Sequence, residues 1–152
     1  MRNQKTIRKQ VSISGVGLHS GKRVTLSLLP ARANSGIRFK RSDIPESVEI
    51  PANVRNVHST TLATTLSSGG VKISTVEHLM SALWAMGIDN ALCVVDGEEL
   101  PILDGSAAPF AQLIRKFHLA HNGPGPYECN ENYLFIGNTS NDSIFVYNIN
   151  NG

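Results

Sequence analysis

The sequence predicts an α+β domain, because short strands fill the first part of the chain and two amphipathic helices follow. Up to about residue 66 the segments VSISGVGL and RVTLSLLP alternate between apolar and polar residues, and the turn residues HSGK separate them. Beyond that point, two sets of apolar residues at helical spacing flank the apolar segment ALCVV within NALCVVDG. We therefore expect a small β-sheet and two helices.

Composition and charge narrow the class of protein. The chain has 152 residues and is 41% hydrophobic, which is enough for one domain with a core. Its formal net charge of +2 is too nearly balanced to indicate a nucleic-acid surface. No window approaches the roughly 18 apolar residues of a membrane span. We expect a cytoplasmic protein with no nucleic-acid partner and no stable membrane insertion.

Two cysteines, Cys93 and Cys129, occur in the chain. Cys93 lies within an apolar segment, so we expect a buried thiol. Neither a disulfide framework nor a cysteine zinc site is indicated by so few cysteines.

Further strands are predicted on both sides of a tight hairpin. GIRFKRSD and VEIPANV are each bounded by turn residues, and TTLATTLSSGGVKIST reads as two strands joined by Ser-Ser-Gly-Gly. Paired glycines supply the positive φ angles that such a hairpin needs. Within NALCVVDG the five residues ALCVV are all apolar, so we expect a strand that is buried on both faces.

The first predicted helix starts after Ser74 and ends at Gly87. Its apolar residues fall at i, i+3, i+4, i+7 and i+8 and predict one buried stripe: Val76, Leu79, Met80, Leu83 and Trp84. Glu77 and His78 lie off this stripe. We therefore expect both side chains to face away from the core, on an exposed surface.

The second predicted helix again has a single stripe, formed by Phe110, Leu113, Ile114 and Phe117. Pro109 fits only in its first turn, where a missing N–H costs nothing.

After Phe117 the composition changes. HNGPGP is typical of a linker, and no lysine or arginine follows Lys116. NYLFIGN and SIFVYNI could form two strands, but an isolated hairpin is marginally stable in water. We predict a first domain over residues 1–122, and over 123–152 a linker with the incomplete start of a second domain.

The adjacent pair Glu77 and His78 has two interpretations. Ser74 and Glu77 have the spacing of a capping box, in which the glutamate side chain accepts a hydrogen bond from the backbone N–H of the N-cap residue. Alternatively, Glu77 is a general base and His78 a metal ligand, since the positive helix terminus favours a neutral imidazole. The zinc-protease pattern His-Glu-x-x-His is excluded, because it needs a second histidine one helical turn from the first and position 82 is alanine. The spacing favours the cap, but the pattern alone leaves the choice open.

Three segments resemble one enzyme family, the UDP-3-O-acyl-N-acetylglucosamine deacetylases, which are bacterial zinc hydrolases of lipid A biosynthesis. These segments are SGVGLHSGKRVTL, ANSGIRFKRSD and ISTVEHLMSALWAMGIDNALCVVDGEELPILDGSAAPF, so that the resemblance runs from about residue 5 to residue 117. It implies two similar α+β domains, each a small sheet layered against helices, with the active site at their interface. It also implies removal of an N-acetyl group from UDP-3-O-acyl-N-acetylglucosamine.

The resemblance assigns roles to particular residues. It implies that Glu77 is the general base and that His78 is a ligand of the catalytic Zn²⁺. It places His19 and a pocket-lining strand at Thr60, Thr61 and Leu62 among the substrate-binding residues, although an ordinary turn and ordinary β packing would explain these residues equally well. Asp104 would shape the turn before the second helix.

The family's other two zinc ligands come from a His-Lys-x-x-Asp segment in its second domain, which this chain does not contain. We therefore expect one of three zinc ligands, weak zinc binding, and a truncated chain that is inactive or nearly so alone. A separately encoded second domain is one partner that this predicts. The alternative is a non-catalytic remnant domain that binds a nucleotide-sugar or a protein partner.

Overall fold

The computed structural model describes residues 4–116 and two later strands, 133–138 and 143–148. Two helices are present in this part of the chain, α1 (Glu77–Ala85) and α2 (Ala108–Lys116). The strands, in chain order, are β1 Val11–Val16, β2 Arg23–Pro30, β3 Ile37–Arg41, β4 Ile50–Pro51, β5 Val57–Ser59, β6 Thr65–Ser68, β7 Val71–Ile73, β8 Ala91–Val95, β9 Tyr133–Asn138 and β10 Ser143–Asn148. A 3₁₀ turn covers Val54–Asn56. The predicted α+β class is confirmed.

A five-stranded sheet with the order β1-β2-β8-β3-β4 forms the main layer. Its central strand, β8, pairs antiparallel with β2 and parallel with β3. Cys93 therefore lies between Leu28 on one neighbour and Phe39 on the other. All three side chains are fully buried, so this register defines the core face of the sheet.

The hydrophobic core joins that face of the sheet to both helices in one continuous cluster. Its largest fully buried side chains come from the sheet, from α1 and α2 and from the segments that flank them: Leu26, Leu28, Phe39, Ile50, Ile73, Val76, Leu79, Leu83, Val95, Leu100, Phe110 and Ile114. Cys93 is a buried free thiol, as expected, and burial strongly raises the pKa of its side chain. The predicted layering of a small sheet against two helices therefore holds.

β8 is less enclosed than the sequence indicates. Ala91, Cys93 and Val95 are buried, but Leu92 and Val94 on the opposite face are partly exposed. The prediction of burial on both faces was thus wrong for one face, because the helices pack against only one side of the sheet.

A second sheet of three strands, β5-β6-β7, contains the predicted hairpin. Gly69 and Gly70 connect β6 to β7 with φ angles of +56° and +80°. Two consecutive positive φ angles match the right-handed twist of the strands, which explains why glycines occupy this turn. The Ser-Ser-Gly-Gly hairpin is confirmed.

Helix α1 is rotated relative to the predicted stripe. Val76, Leu79 and Leu83 are buried and Met80 packs against the core, as expected, but Trp84 is 68% exposed and Ala82 is buried as well. His78, which we expected on an exposed surface, is only 8% exposed. The predictions for Trp84 and His78 failed because we placed the buried face of the helix around the large apolar side chains, including Trp84. The helix in fact packs closely on the side of the small Ala82.

Helix α2 follows its prediction. Phe110 and Ile114 are buried, Leu113 packs against the core, and Pro109 lies in the first turn. Asp104 has the expected structural role, because its Oδ1 accepts hydrogen bonds from the backbone N–H and the hydroxyl of Ser106, at 2.9 and 2.8 Å. Phe117 lies outside the described residues.

The two strands predicted in the tail are present as an antiparallel pair, β9 and β10. The linker HNGPGP and the domain boundary after residue 122 lie outside the described residues and stay predictions. In the described part of the chain, neither helix has the length and apolar character needed to cross a membrane.

The continuous core predicts a large effect of truncating a sheet residue. Leu26→Ala should lower the free energy of unfolding by about 2–5 kcal/mol, because the side chain is fully buried and its removal leaves a cavity. Val54→Ala, at a position that is 84% exposed, should change it by less than about 0.5 kcal/mol. Urea unfolding followed by circular dichroism measures both, and equal losses would contradict the assigned core.

Candidate active site

Helix α1 begins without the predicted capping box. Its N-cap is Val76, which makes no side-chain cap hydrogen bond, and Glu77 is the first helical residue. Ser74 lies further back, where its N–H donates to the carbonyl of Glu98 at 2.8 Å and its carbonyl accepts from Leu100 N–H at 3.1 Å. The capping prediction was wrong because strand-like pairing already engages the backbone of Ser74.

The carboxylate of Glu77 instead holds a neighbouring loop. Its Oε2 accepts a hydrogen bond from Thr64 N–H at 3.1 Å. The carbonyl of Thr64 in turn accepts from Val76 N–H at 3.4 Å. These reciprocal contacts attach the loop at residues 60–64 to the start of α1 and restrict where the Glu77 side chain can lie.

Thr60, Thr61 and Leu62 lie in this loop, between β5 and β6, and not in the strand that we expected. All three are exposed, and Leu62 is 82% exposed with a φ angle of +64°. The strand prediction failed because positive φ at Leu62 is incompatible with extended pairing. The same loop contains Thr64, whose N–H donates to the carboxylate of Glu77.

His78 is adjacent to Glu77 on α1 but turned toward the buried side of the helix. On the same helix, one turn beyond Glu77, the hydroxyl of Ser81 is buried and has no hydrogen-bond partner among the described residues. A buried hydroxyl without a partner costs stability. The region around the Glu77–His78 pair is therefore partly desolvated.

His19 lies on the turn between β1 and β2. Its side chain is exposed, while its backbone N–H donates to Glu99 Oε1 at 3.0 Å. His19 lines an open groove of about 420 Å³ that Glu77 and His78 do not line. Other groove residues carry charges of both signs: Lys22, Arg23, Arg41, Asp43, Asp96, Glu98 and Glu99.

Glu99 is a residue that the sequence reasoning missed. It is 5% exposed, and its carboxylate also accepts hydrogen bonds from Ser20 N–H at 2.8 Å and from the Thr75 hydroxyl at 3.0 Å. Burial acts to raise the pKa of Glu99, but the hydrogen bonds from His19, Ser20 and Thr75 outweigh it and lower the pKa. The signal in the sequence that could have indicated a buried carboxylate was the position of Glu99 directly before the apolar Leu100.

The described residues supply few candidate metal ligands in one place. Nowhere in residues 4–116 do three His, Cys, Asp or Glu side chains come together in a metal-binding arrangement. The arrangement at α1 therefore consists of one carboxylate held by a backbone N–H, one neighbouring imidazole, and an adjacent loop. These groups can accept a proton and bind a polar ligand.

Comparison with known proteins identifies the family. The family model for LpxC, UDP-3-O-acyl N-acetylglycosamine deacetylase, matches residues 4–129, and the chain belongs to this family. The proteins named UDP-3-O-acyl-N-acetylglucosamine deacetylase from Myxococcus xanthus (strain DK1622) and Legionella pneumophila (strain Corby) are 58% and 55% identical to it, over 113 and 115 residues. These alignments cover 74% and 76% of this chain but 36% and 38% of the relatives, so the chain spans little more than a third of their length.

The contact between Glu77 and Thr64 predicts a local effect of substitution. Glu77→Ala should speed amide hydrogen exchange at Thr64 about tenfold, because a hydrogen bond to a charged group is lost. Glu77→Gln keeps a carbonyl acceptor and should change this rate much less. Hydrogen exchange followed by NMR gives the measurement, with Cys93 in the core as an internal reference; equal acceleration in both variants would contradict the contact.

The lowered pKa of Glu99 predicts a pH-dependent contribution to stability. Because the folded pKa lies below the ordinary value of about 4.3, ionised Glu99 stabilises the fold above that pH. This contribution is lost as the pH falls through the folded pKa. The stability difference between wild type and Glu99→Gln should therefore be large at pH 7 and shrink at the acid end.

Urea midpoints measured at several pH values between 7 and 3 provide that test. Glu98→Gln, at the neighbouring exposed position, is the matched control and should show no comparable difference. A difference for Glu99→Gln that stays constant with pH would contradict the assignment.

Proposed function

We propose that this chain forms part of a deacetylase that removes the N-acetyl group from UDP-3-O-acyl-N-acetylglucosamine in lipid A biosynthesis. Family membership and the names of its relatives support this proposal. Within it, Glu77 acts as the general base and His78 as a zinc ligand. The substrate-binding role expected for His19, Thr60, Thr61 and Leu62 is retained as part of the same proposal, as is the cytoplasmic location.

The observation that carries this proposal is the state of the Glu77 side chain. Its carboxylate is not used in capping its own helix, and Oε2 is held by Thr64 N–H at 3.1 Å. A general base must be fixed within reach of the proton that it removes. A carboxylate oriented through one oxygen meets that requirement and leaves its second oxygen for a water molecule.

The chemistry assigned to Glu77 is amide hydrolysis. As Glu77 takes a proton from the attacking water, the water oxygen bonds to the acetamide carbonyl carbon and an oxyanion forms. The carbon–nitrogen bond then breaks, and the nitrogen receives the proton from Glu77. The immediate products are acetic acid and the amine of the sugar, and proton transfer between them gives acetate and the ammonium form of the amine, so atoms and charge balance.

The described residues do not by themselves fit a catalytic zinc ion. Such an ion takes three protein ligands and a water, whereas His78 is one imidazole and no group of three ligating side chains occurs within residues 4–116. We therefore propose that the other ligands come from outside these residues, from a second domain that acts as the partner of this one.

The test is reconstitution of activity. The purified 152-residue chain should not hydrolyse the UDP-sugar, but it should do so with zinc after addition of a polypeptide covering the remaining length of the Myxococcus xanthus relative. Glu77→Gln should then lower kcat about 10²- to 10⁴-fold, as expected for loss of a general base. Glu49→Gln, at an exposed carboxylate that does not line the groove of His19, is the matched control and should retain activity.

Two outcomes would overturn parts of this proposal. Full activity of the 152-residue chain alone would refute the need for a second domain. Tight binding of the UDP-sugar without turnover in the reconstituted mixture would instead support a non-catalytic domain that binds a nucleotide-sugar.

A further inference from the structure

The Glu99 carboxylate connects two parts of the chain that are far apart in sequence. On one side it accepts hydrogen bonds from the N–H groups of His19 and Ser20, at 3.0 and 2.8 Å. On the other side it accepts a hydrogen bond from the hydroxyl of Thr75 at 3.0 Å. These donors satisfy a carboxylate that is 5% exposed, which is the condition for burying such a charge.

Gly17 shows how closely the His19 turn is fitted to this carboxylate. A Cβ added at Gly17 would lie 2.5 Å from Glu99 Oε2 and 2.3 Å from the hydroxyl of Ser20. Gly17 also closes the turn, with its N–H donating to Lys22 and its carbonyl accepting from Gly21. The turn therefore approaches Glu99 as closely as a backbone without a side chain allows.

Thr75 shows that the other side is equally constrained. Its φ angle is +58°, which is rare and unfavourable for a β-branched residue. Such a conformation persists only where the surroundings hold it. The hydroxyl bond to Glu99 is one such contact, and α1 begins with Glu77 only two residues later.

The geometry points to Glu99 as a positioning residue that ties the His19 turn to the start of α1 and thereby orients Glu77 and His78. This inference rests on the proposed function for its catalytic meaning. Glu99 is hydrogen-bonded to Thr75 and not directly to either residue of the α1 pair, so it acts on them through Thr75. The predicted consequence is that changes at Glu99 alter the surroundings of both residues on α1.

The experiment uses NMR on the full 152-residue chain without metal or substrate. In Glu99→Gln, the new NH₂ group replaces an acceptor that faced N–H donors. Amide exchange at His19 and Ser20 should become about tenfold faster or more, as for loss of a hydrogen bond to a charged group. The amide signal of Glu77 and the imidazole signals of His78 should also shift.

Two controls separate positioning from general destabilisation. Glu98→Gln changes the adjacent exposed carboxylate and should leave all these signals in place. Leu26→Ala destabilises the core and removes none of the hydrogen-bond donors to Glu99, so it should leave the imidazole signals of His78 unshifted. A shift of equal size in Leu26→Ala would overturn the inference.

A second variant keeps the test decisive if Glu99→Gln does not fold. Thr75→Val replaces the hydroxyl with a methyl group and keeps a β-branched side chain, so the hydrogen bonds of Glu99 with His19 and Ser20 should remain. We expect the Glu77 and His78 signals to shift while His19 and Ser20 stay protected. Unchanged Glu77 and His78 signals would overturn the inference, and since no turnover is measured, that failure is separate from any failure of the proposed deacetylase activity.

Discussion

The start of α1 has no side-chain cap of its own, and the organisation of the site follows from this constraint. The backbone groups there are satisfied by neighbouring segments: Ser74 by the chain at Glu98, and Val76 by Thr64. Because no cap occupies it, the carboxylate of Glu77 is available to fix Thr64. The position of the candidate base therefore depends on tertiary contacts from both sides, and an isolated α1 would not reproduce it.

Local patterns were sufficient to predict the elements whose formation depends on nearby residues. The alternation in β2, the paired glycines before Val71 and the stripe through Phe110 each determine a structure through contacts within a few residues. The same holds for the turn at Asp104, whose side chain bonds two residues ahead. The capping box failed because Ser74 is paired with a segment more than twenty residues away.

The candidate site could be predicted only in part, for the same reason. Glu77 and His78 stand out as an adjacent pair, and only the family resemblance gave them roles. The burial of His78 depends on how α1 packs, which a helical wheel does not contain. Glu99 had no motif at all, since its donors are contributed by His19 and Thr75, which are 80 and 24 residues distant. Side chains that act across such separations become visible only once the chain is folded.

The central place of β8 has a consequence for how the domain acquires its structure. Its partners β2 and β3 end by residue 41, yet β8 begins only at residue 91. Until that segment is available, β1–β2 and β3–β4 are separate hairpins with unpaired edges, which favour association with other chains. Such non-local pairing is typical of slow folding, so during synthesis this chain should depend on protection of its early strands until β8 leaves the ribosome.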